Sequence, residues 1–288
     1  MMRVFIYRTD TYLPAMREQA VRILSGEQDL SIVGDVTSVN EIADCYYDMV
    51  LVCAGHGDYA KVHHGLRMAG ISEERLLLDR AVCVPGFSLE RYTKLHINTP
   101  SIIAMNCWGG LVSHLLGLPF RSPFVNMFLH EDDYIELLSH FQFAMKSDLE
   151  FDSIGYNGAI KIHYPIFRID GAKLFMNHYA DFGQAQAKWY ERCQKIDFDN
   201  LFVTMYTENP KVLARFQELP FPRKICFVPF ETDVPSGCYL KRELDRTPPP
   251  WGESVHPWWS IVNNFAKGVV HYYDIYAMLL EGKQVRLF

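Results

Sequence analysis

A cysteine directly after an apolar, strand-like run is the strongest chemical feature of this sequence. Residues 102–105 are apolar, Asn106 and Cys107 follow them, and a helical pattern begins just afterwards. A thiol at a helix N-terminus meets the positive end of the helix dipole, which favours the nucleophilic thiolate. The backbone amides there would supply an oxyanion hole. The sequence therefore predicts Cys107 as a covalent nucleophile, with Asn106 beside the substrate.

The three residues after Cys107 are predicted to contact the substrate. They are Trp108, Gly109 and Gly110, and the two glycines would let a substrate approach the backbone closely. A second interpretation stays open at this point. Cys107 would then be a small buried hydrophobe, and the glycines would serve close packing of the helix.

A cysteine nucleophile needs a base, and the sequence offers eleven histidines. His178 follows the strand-like residues 174–176 and precedes Asp181, a predicted helix cap. The ends of strands in an α/β core are where sites assemble, so His178 is the predicted base. His163, inside a predicted strand, and His256, in a loop, are the competing candidates.

The first ninety residues alternate predicted strands with short helices. The strands cover residues 3–7, 31–36, 48–54 and 76–78. This alternation predicts a parallel sheet, and hence a small Rossmann-like domain over residues 1–92. The dinucleotide fingerprint is absent, and the turn Gly55-His56-Gly57 is either an anion-binding turn or a plain structural one.

The remaining residues, 93–288, predict a larger mixed α/β domain. Residues 88–94 are predicted to connect the two domains, and residues 230–251 to form a Pro-rich loop. Strands are predicted over 101–105, 159–169, 173–176, 201–206 and 224–228. Helices are predicted over 108–116, from Asp132 or Asp133 to about 143, over 182–196, 210–219 and 258–280.

Composition excludes several classes of protein. The chain has 288 residues, of which 49% are hydrophobic, with 34 acidic against 28 basic side chains and a net charge of −6. These values are typical of a globular protein and argue against a nucleic-acid partner. We expect a cytoplasmic protein with no signal peptide and no integral membrane segment. Seven cysteines in no ligand spacing predict no metal site, and no cofactor is expected.

An ordered series of motifs carries a family resemblance across about residues 95–232. The motifs are Asn106-Cys107-Trp108-Gly109-Gly110, Leu118-Pro119-Phe120, Ser122-Pro123-Phe124, Asn177-His178-Tyr179, Ala187-Lys188-Trp189, Glu191-Arg192 and Asp199-Asn200-Leu201-Phe202-Val203. The chain resembles the bacterial domain-of-unknown-function family 1919, which is found with exopolysaccharide and capsule biosynthesis genes. A weaker similarity links it to papain-like cysteine peptidases, and this similarity implies a papain-like form for the second domain.

This resemblance implies a surface-polysaccharide biosynthesis enzyme, either a transferase or a hydrolase. Cys107 would attack an acyl group and His178 would accept and return the proton. Asp181, Glu208 and Asn209 are the alternatives for a third residue that orients the imidazole. Arg192 and Tyr179 would bind the substrate, although an ion pair with Glu191 explains Arg192 equally well.

Two other functions are weighed against covalent catalysis. A glycosyltransferase-like enzyme would bind a sugar nucleotide between two α/β halves and use no thiol. A non-catalytic subunit would serve a polysaccharide assembly complex. The expected partners are a carbohydrate or an activated sugar or acyl donor, together with other polysaccharide-biosynthesis proteins.

Overall fold

The computed structural model of the protein describes residues 1–9, 14–27, 30–43, 46–55, 58–240 and 273–287. The chain divides into two compact units. Unit 1 comprises Met1–Ile97 with Leu115–Gly117, and unit 2 comprises Asn98–His114 with Leu118–Phe288. No helix within the described ranges combines the length and apolar character needed to cross a bilayer.

Unit 1 is built on a four-stranded parallel sheet, as its alternating pattern predicts. The strand order is β2-β1-β3-β4. All five residues of β3 are buried, which is typical of a parallel strand covered on both faces. The elements of this part are β1 (Met2–Arg8), α1 (Pro14–Ser25), β2 (Leu30–Val36), α2 (Val39–Ala43), β3 (Met49–Cys53), α3 (Tyr59–Met68), β4 (Leu76–Leu78), α4 (Asp79–Val82) and α5 (Leu89–Ile97).

Unit 2 combines a parallel sheet with a small antiparallel one. The parallel sheet has the order β11-β10-β9-β5, and the antiparallel sheet has the order β6-β7-β8. The elements that complete the chain are β5 (Ser101–Ala104), α6 (Trp108–Leu116), α7 (Glu131–Ser139), α8 (Phe141–Ala144), β6 (Glu150–Asn157), β7 (Ile162–Ile169), β8 (Ala172–Phe175), α9 (Phe182–Cys193), β9 (Leu201–Tyr206), α10 (Pro210–Glu218), β10 (Lys224–Val228), β11 (Gly237–Tyr239) and α11 (Ile275–Glu281).

The α/β class and the parallel sheets are therefore confirmed. A papain-like form of the second domain stays a prediction. The predicted division at 92/93 falls inside α5, because Leu89–Ile97 is a helix and residues 89–94 of the predicted connector belong to it. Leu89, Tyr92 and Leu95 are buried at three-residue spacing along that helix, and this spacing is the signal that identifies it.

Other local predictions are wrong in detail. The helix predicted from Asp132 or Asp133 is two helices, because His140 adopts a non-helical conformation (φ −135°, ψ 37°) between α7 and α8. The strand predicted over 159–169 begins at Ile162, and its hairpin partner β6 is not predicted. Gly155 of β6 reflects the pairing with β7. It has no side chain, and the ring of its partner Tyr164 occupies that space.

Some predictions fall outside the described residues. They concern Cys45, His56, Gly57 and His256, and the part of the predicted helix 258–280 that precedes residue 273. The C-terminal portion of that helix is α11.

One buried tyrosine ties helix α7 to the parallel sheet of unit 2. The hydroxyl oxygen of Tyr134 lies 2.9 Å from the carbonyl oxygen of Ile103 and 3.0 Å from that of Thr204. These carbonyls belong to β5 and β9, which pair in parallel. The start of α7 is thereby held at the carboxyl ends of these two strands.

Candidate functional site

A cavity of about 530 Å³ opens at the carboxyl edge of the parallel sheet in unit 2. In open α/β sheets, ligands bind outside the carboxyl ends of the strands. The volume lies within the range that small-molecule sites occupy. This edge cavity is lined by Met105, Asn106, Phe128, Leu129, His130, Glu131, Tyr206 and Glu208.

Hydrogen bonds fix the segment that forms one wall of the edge cavity. The Leu129 amide donates to the Met105 carbonyl oxygen at 2.9 Å. Phe128 exchanges two backbone hydrogen bonds with Phe175 at the end of β8, and the two rings stack with centroids 4.6 Å apart. The His130 ring meets Phe175 edge-on at 4.8 Å. The wall is therefore aromatic, and it is anchored to both sheets of the unit.

Glu131 is the titratable group whose surroundings are most unusual in this cavity. Its carboxylate accepts a hydrogen bond from the Thr207 hydroxyl, and that hydroxyl accepts the Asn209 amide at 3.0 Å. Desolvation raises the pKa of Glu131 above its ordinary value, and the negative charges of Asp132 and Glu208 raise it further. The carboxyl group therefore holds a proton more readily than an exposed glutamate, as a general acid or base requires.

A second carboxylate and an amide complete the polar lining. The Tyr206 hydroxyl donates to Oε1 of Glu208 at 3.2 Å, which orients this exposed side chain. Asn106 is 5% exposed, and its Oδ1 accepts the Trp108 amide at 3.0 Å at the start of α6. The amide oxygen of Asn106 is thus used by the backbone, and no hydrogen bond joins its amino group to another of the described residues.

Cys107 lies next to Asn106 but is not among the residues that line the edge cavity. Its Sγ is 3.9 Å from the carbonyl oxygen of Met127. Burial raises the pKa of this thiol to about 11, and the backbone hydrogen bonds at Met127 and Cys107 lower the pKa only in part. Desolvation is therefore the larger effect on this thiol, because it penalises the charged thiolate.

His178 and Asp181 are not joined to Cys107 by a hydrogen bond among the described residues. His178 is exposed, and partial shielding of its ring lowers its pKa. Asp181 is the predicted N-cap of α9, and its Oδ1 accepts the Gln184 amide at 2.6 Å. The cap is confirmed. The catalytic roles of Cys107, His178 and Asp181 stay predictions.

Trp108, Gly109 and Gly110 pack against neighbouring elements, and their contact with a substrate stays a prediction. Trp108 is 2% exposed and stacks on Phe202 of β9, with ring centroids 5.9 Å apart. A Cβ on Gly109 would lie 3.0 Å from Cγ2 of Ile102, and one on Gly110 would lie 3.1 Å from Cγ1 of Val125. The glycines thus let α6 approach its neighbours closely, as the second interpretation holds.

Tyr179 and Arg192 are brought together, as the prediction of a shared site requires. Arg192 Nη1 donates to the Tyr179 hydroxyl at 2.8 Å, and the guanidinium lies 5.6 Å from the centroid of the Phe120 ring. The ion pair of Glu191 is with Lys188 and Lys195, so Glu191 is not the partner of Arg192. Tyr179 itself is 7% exposed, which leaves it a positioning role beside Arg192.

The sequence analysis identifies one of the two acidic lining residues. It gives Glu208 as one alternative for a third catalytic residue, and it identifies neither Glu131 nor its partner Thr207. A usable signal exists for Thr207 and Glu208, because these polar residues follow the fully buried strand β9. Glu131 has no such signal. It reaches the site through the long-range contacts of Tyr134 and Leu129.

Comparisons with known proteins place this site within a family. An uncharacterized protein of Haemophilus influenzae is 30% identical over 130 residues, which is 44% of this chain and 60% of the relative. The match thus spans less than two thirds of the relative's length. A family model described as a domain of unknown function, DUF1919, matches residues 80–248, which is more than half of the chain. The chain therefore belongs to the DUF1919 family.

Proposed function

We propose that unit 2 is a carbohydrate-active transferase that binds a hydroxyl-rich substrate in the edge cavity. Glu131 would move the proton in this reaction. The observation that carries the proposal is the pair Glu131 and Glu208 in a partly apolar cavity at the carboxyl edge of a parallel sheet. The resemblance to a family found with exopolysaccharide and capsule biosynthesis genes supports surface polysaccharides as the substrate class.

The lining favours a sugar over other small ligands. The rings of Phe128 and Tyr206 offer apolar faces to the C–H groups of a sugar ring, while Glu131, Glu208 and Asn106 offer acceptors and donors for hydroxyl groups. Two carboxylates line this cavity with His130 and without a Lys or Arg, and this balance disfavours a phosphate or a carboxylate. A neutral part of the substrate is therefore favoured here.

Glu131 fits the base of a glycosyl transfer. It would take the proton of an acceptor hydroxyl while that oxygen bonds to the anomeric carbon of the donor, and the leaving group would depart with the electron pair of the broken bond. Thr207 holds the carboxylate in place for this step. Such proton transfer contributes about 10²–10⁴-fold in rate. Covalent acyl chemistry at Cys107 is the competing proposal, and it requires a reactive thiol.

The test combines ligand-dependent thermal stability with turnover. Wild-type protein is screened with neutral sugars and with UDP-, GDP- and CMP-sugars, and nucleotide release is measured for those that stabilise it. We expect Glu131→Gln to keep stabilisation by the sugar and to lose about 100-fold or more in turnover. Glu208→Gln is expected to weaken the stabilisation itself.

Glu136→Gln is the matched control, because Glu136 is an exposed carboxylate on the same helix as Glu131. It should behave as the wild type in both measurements. The proposal is wrong if no sugar stabilises the wild type at tens of millimolar, or if Glu131→Gln turns over the substrate as fast as Glu136→Gln does.

A further inference from the structure

Unit 1 contains a partly buried arginine whose guanidinium has nitrogen atoms without a hydrogen-bond partner among the described residues. Arg80 follows β4 as the second residue of α4, and its side chain is partly buried. Its Nε and Nη2 atoms are shielded from solvent and have no hydrogen-bond partner among the described residues. The guanidinium carbon lies 4.2 Å from the centroid of the Tyr59 ring, at the first residue of α3.

Other arginines of unit 1 are satisfied by the protein itself. Arg75 donates from Nε to the Asp48 carbonyl oxygen at 2.9 Å and from Nη2 to the Tyr47 carbonyl oxygen. Arg91 donates from Nη1 to the Gly86 carbonyl oxygen at 3.3 Å. A shielded donor without a partner costs free energy, and a shielded charge costs more. Arg80 therefore differs from its neighbours in a way that destabilises the fold.

The adjacent acid attracts this cation but forms no ion pair with it among the described residues. Asp79 is 4% exposed, its carboxylate accepts the backbone N–H of Arg80, and its charge acts on the guanidinium without a hydrogen bond between the two side chains. Tyr59 supports the cation through its ring, which leaves the planar edge of the guanidinium unused. That edge is the surface that binds phosphate or carboxylate oxygens in a bidentate manner.

The position of Arg80 in the sheet is one where ligands bind. Val52 pairs with Leu78 and Arg8 pairs with Cys53, so β1, β3 and β4 end level with one another just before Asp79 and Arg80. Ligands of parallel α/β sheets bind outside these carboxyl ends.

The same edge carries further positive charge. Arg8 and Arg17 share one carboxylate, that of Asp35, each at 2.9 Å. With Arg80, these make three guanidinium groups, which face the carboxylates of Asp35, of Asp79 and of Asp58, the residue before α3.

We propose that unit 1 binds a phosphorylated small molecule, with the Arg80 guanidinium holding phosphate oxygens at the carboxyl edge of the β2-β1-β3-β4 sheet. Phosphate offers the paired, negatively charged acceptors that Nε and Nη2 lack. The chemical class is a phosphate ester or a nucleoside diphosphate. This site stands independently of the sugar site proposed for unit 2.

The experiment measures the melting temperature and the binding isotherm of the full chain with inorganic phosphate, glucose 1-phosphate and UDP at matched ionic strength. Glucose and uridine serve as the uncharged counterparts. We expect the phosphate-bearing probes to stabilise the wild type at about 10 mM, and UDP to bind more tightly than phosphate if a nucleotide is the natural source. Inorganic phosphate binding as tightly as UDP would instead indicate a simple phosphate ester.

Three variants make the test specific. Arg80→Met should abolish stabilisation by phosphate while leaving the free protein at least as stable, because an unpaired charge is removed. Arg80→Lys keeps the charge without the planar fork and should bind at least about tenfold more weakly. Arg67→Met, at an exposed position on α3, should bind as the wild type does.

The inference is overturned if none of the phosphate-bearing probes stabilises the wild type, or if Arg80→Met retains the stabilisation. This result is independent of the outcome for the sugar site, because phosphate is expected to stabilise Glu131→Gln as much as it stabilises the wild type.

Discussion

The two parallel sheets of this protein present opposite chemistry at equivalent edges. In unit 1 the carboxyl edge carries Arg8 and Arg80, and in unit 2 it carries Asn106, Glu131 and Glu208. Both edges arise from the same geometry, since parallel strands end together and deliver the next residues to one place. The fold therefore provides the location, and the residues that follow each strand determine which ligand is recognised.

The substitution with the largest expected effect tests whether Trp108 belongs to the core or to the unit 2 edge. Trp108→Ala should lower the free energy of unfolding by about 3–5 kcal/mol, because a buried ring stacked between β9 and β10 is lost. Chemical denaturation measures this effect. Phe143→Ala, at a position that is 66% exposed, is the control and should change little. If Trp108→Ala instead kept its stability and lost sugar binding, the edge cavity would extend to this residue.

The next effect concerns Asp79, the buried acid of unit 1. Burial raises the pKa of Asp79 from 3.8 to about 6, so the folded state binds more protons than the unfolded state between these values. Stability is therefore present below pH 4 and is lost as the pH rises towards 6, at a cost of about 3 kcal/mol. Asp79→Asn should remove this cost, so its melting temperature should be higher than that of the wild type at pH 8.

The control for Asp79→Asn is the same pair of proteins at pH 4, where both side chains are neutral and the melting temperatures should agree. A stabilisation that persists unchanged at pH 4 would mean that the ionised carboxylate is not its cause.

Sequence patterns predict the sheets better than the sites, and the two edges show why. The strand β3 is an uninterrupted apolar run, and β9 is apolar except for Thr204, which identifies both strands without any tertiary information. Asn106 and Glu208 can be found from the sequence, because Asn106 follows the apolar residues 102–105 and Glu208 lies two residues after β9. Glu131 and Arg80 cannot be found in this way. Glu131 is identified by its hydrogen bond with Thr207, and Arg80 is identified by its contact with the Tyr59 ring and by two nitrogen atoms without a hydrogen-bond partner among the described residues. Only packing reveals those properties.

A smaller effect contrasts one helical glycine in each unit. A Cβ at Gly109 of α6 would meet Ile102 at 3.0 Å and Ala104 at 3.3 Å, whereas a Cβ at Gly65 of α3 would meet nothing within 4 Å. Gly109→Ala should therefore destabilise by about 1–3 kcal/mol through overpacking. Gly65→Ala should stabilise by about 0.5–1 kcal/mol through helix propensity. Opposite signs of the change in denaturation midpoint confirm that Gly109 serves packing. Changes of the same sign would instead favour Gly109 as a substrate contact.

The last comparison separates acid–base chemistry at the unit 2 edge from covalent chemistry at Cys107. With its pKa raised to about 11, Cys107 should react with iodoacetamide at pH 7 about 100-fold more slowly than an exposed thiol, and His178→Ala should leave that rate unchanged. Site-resolved alkylation measures both. The same cysteine in urea is the control, and unfolding should restore an ordinary rate because desolvation is the cause of the shift. Rapid modification of folded Cys107 below pH 7 that depends on His178 would reverse the assignment, since only a thiolate paired with imidazolium reacts in that range. In that case the thiol, rather than Glu131, would be the group that the carboxyl edge delivers for catalysis.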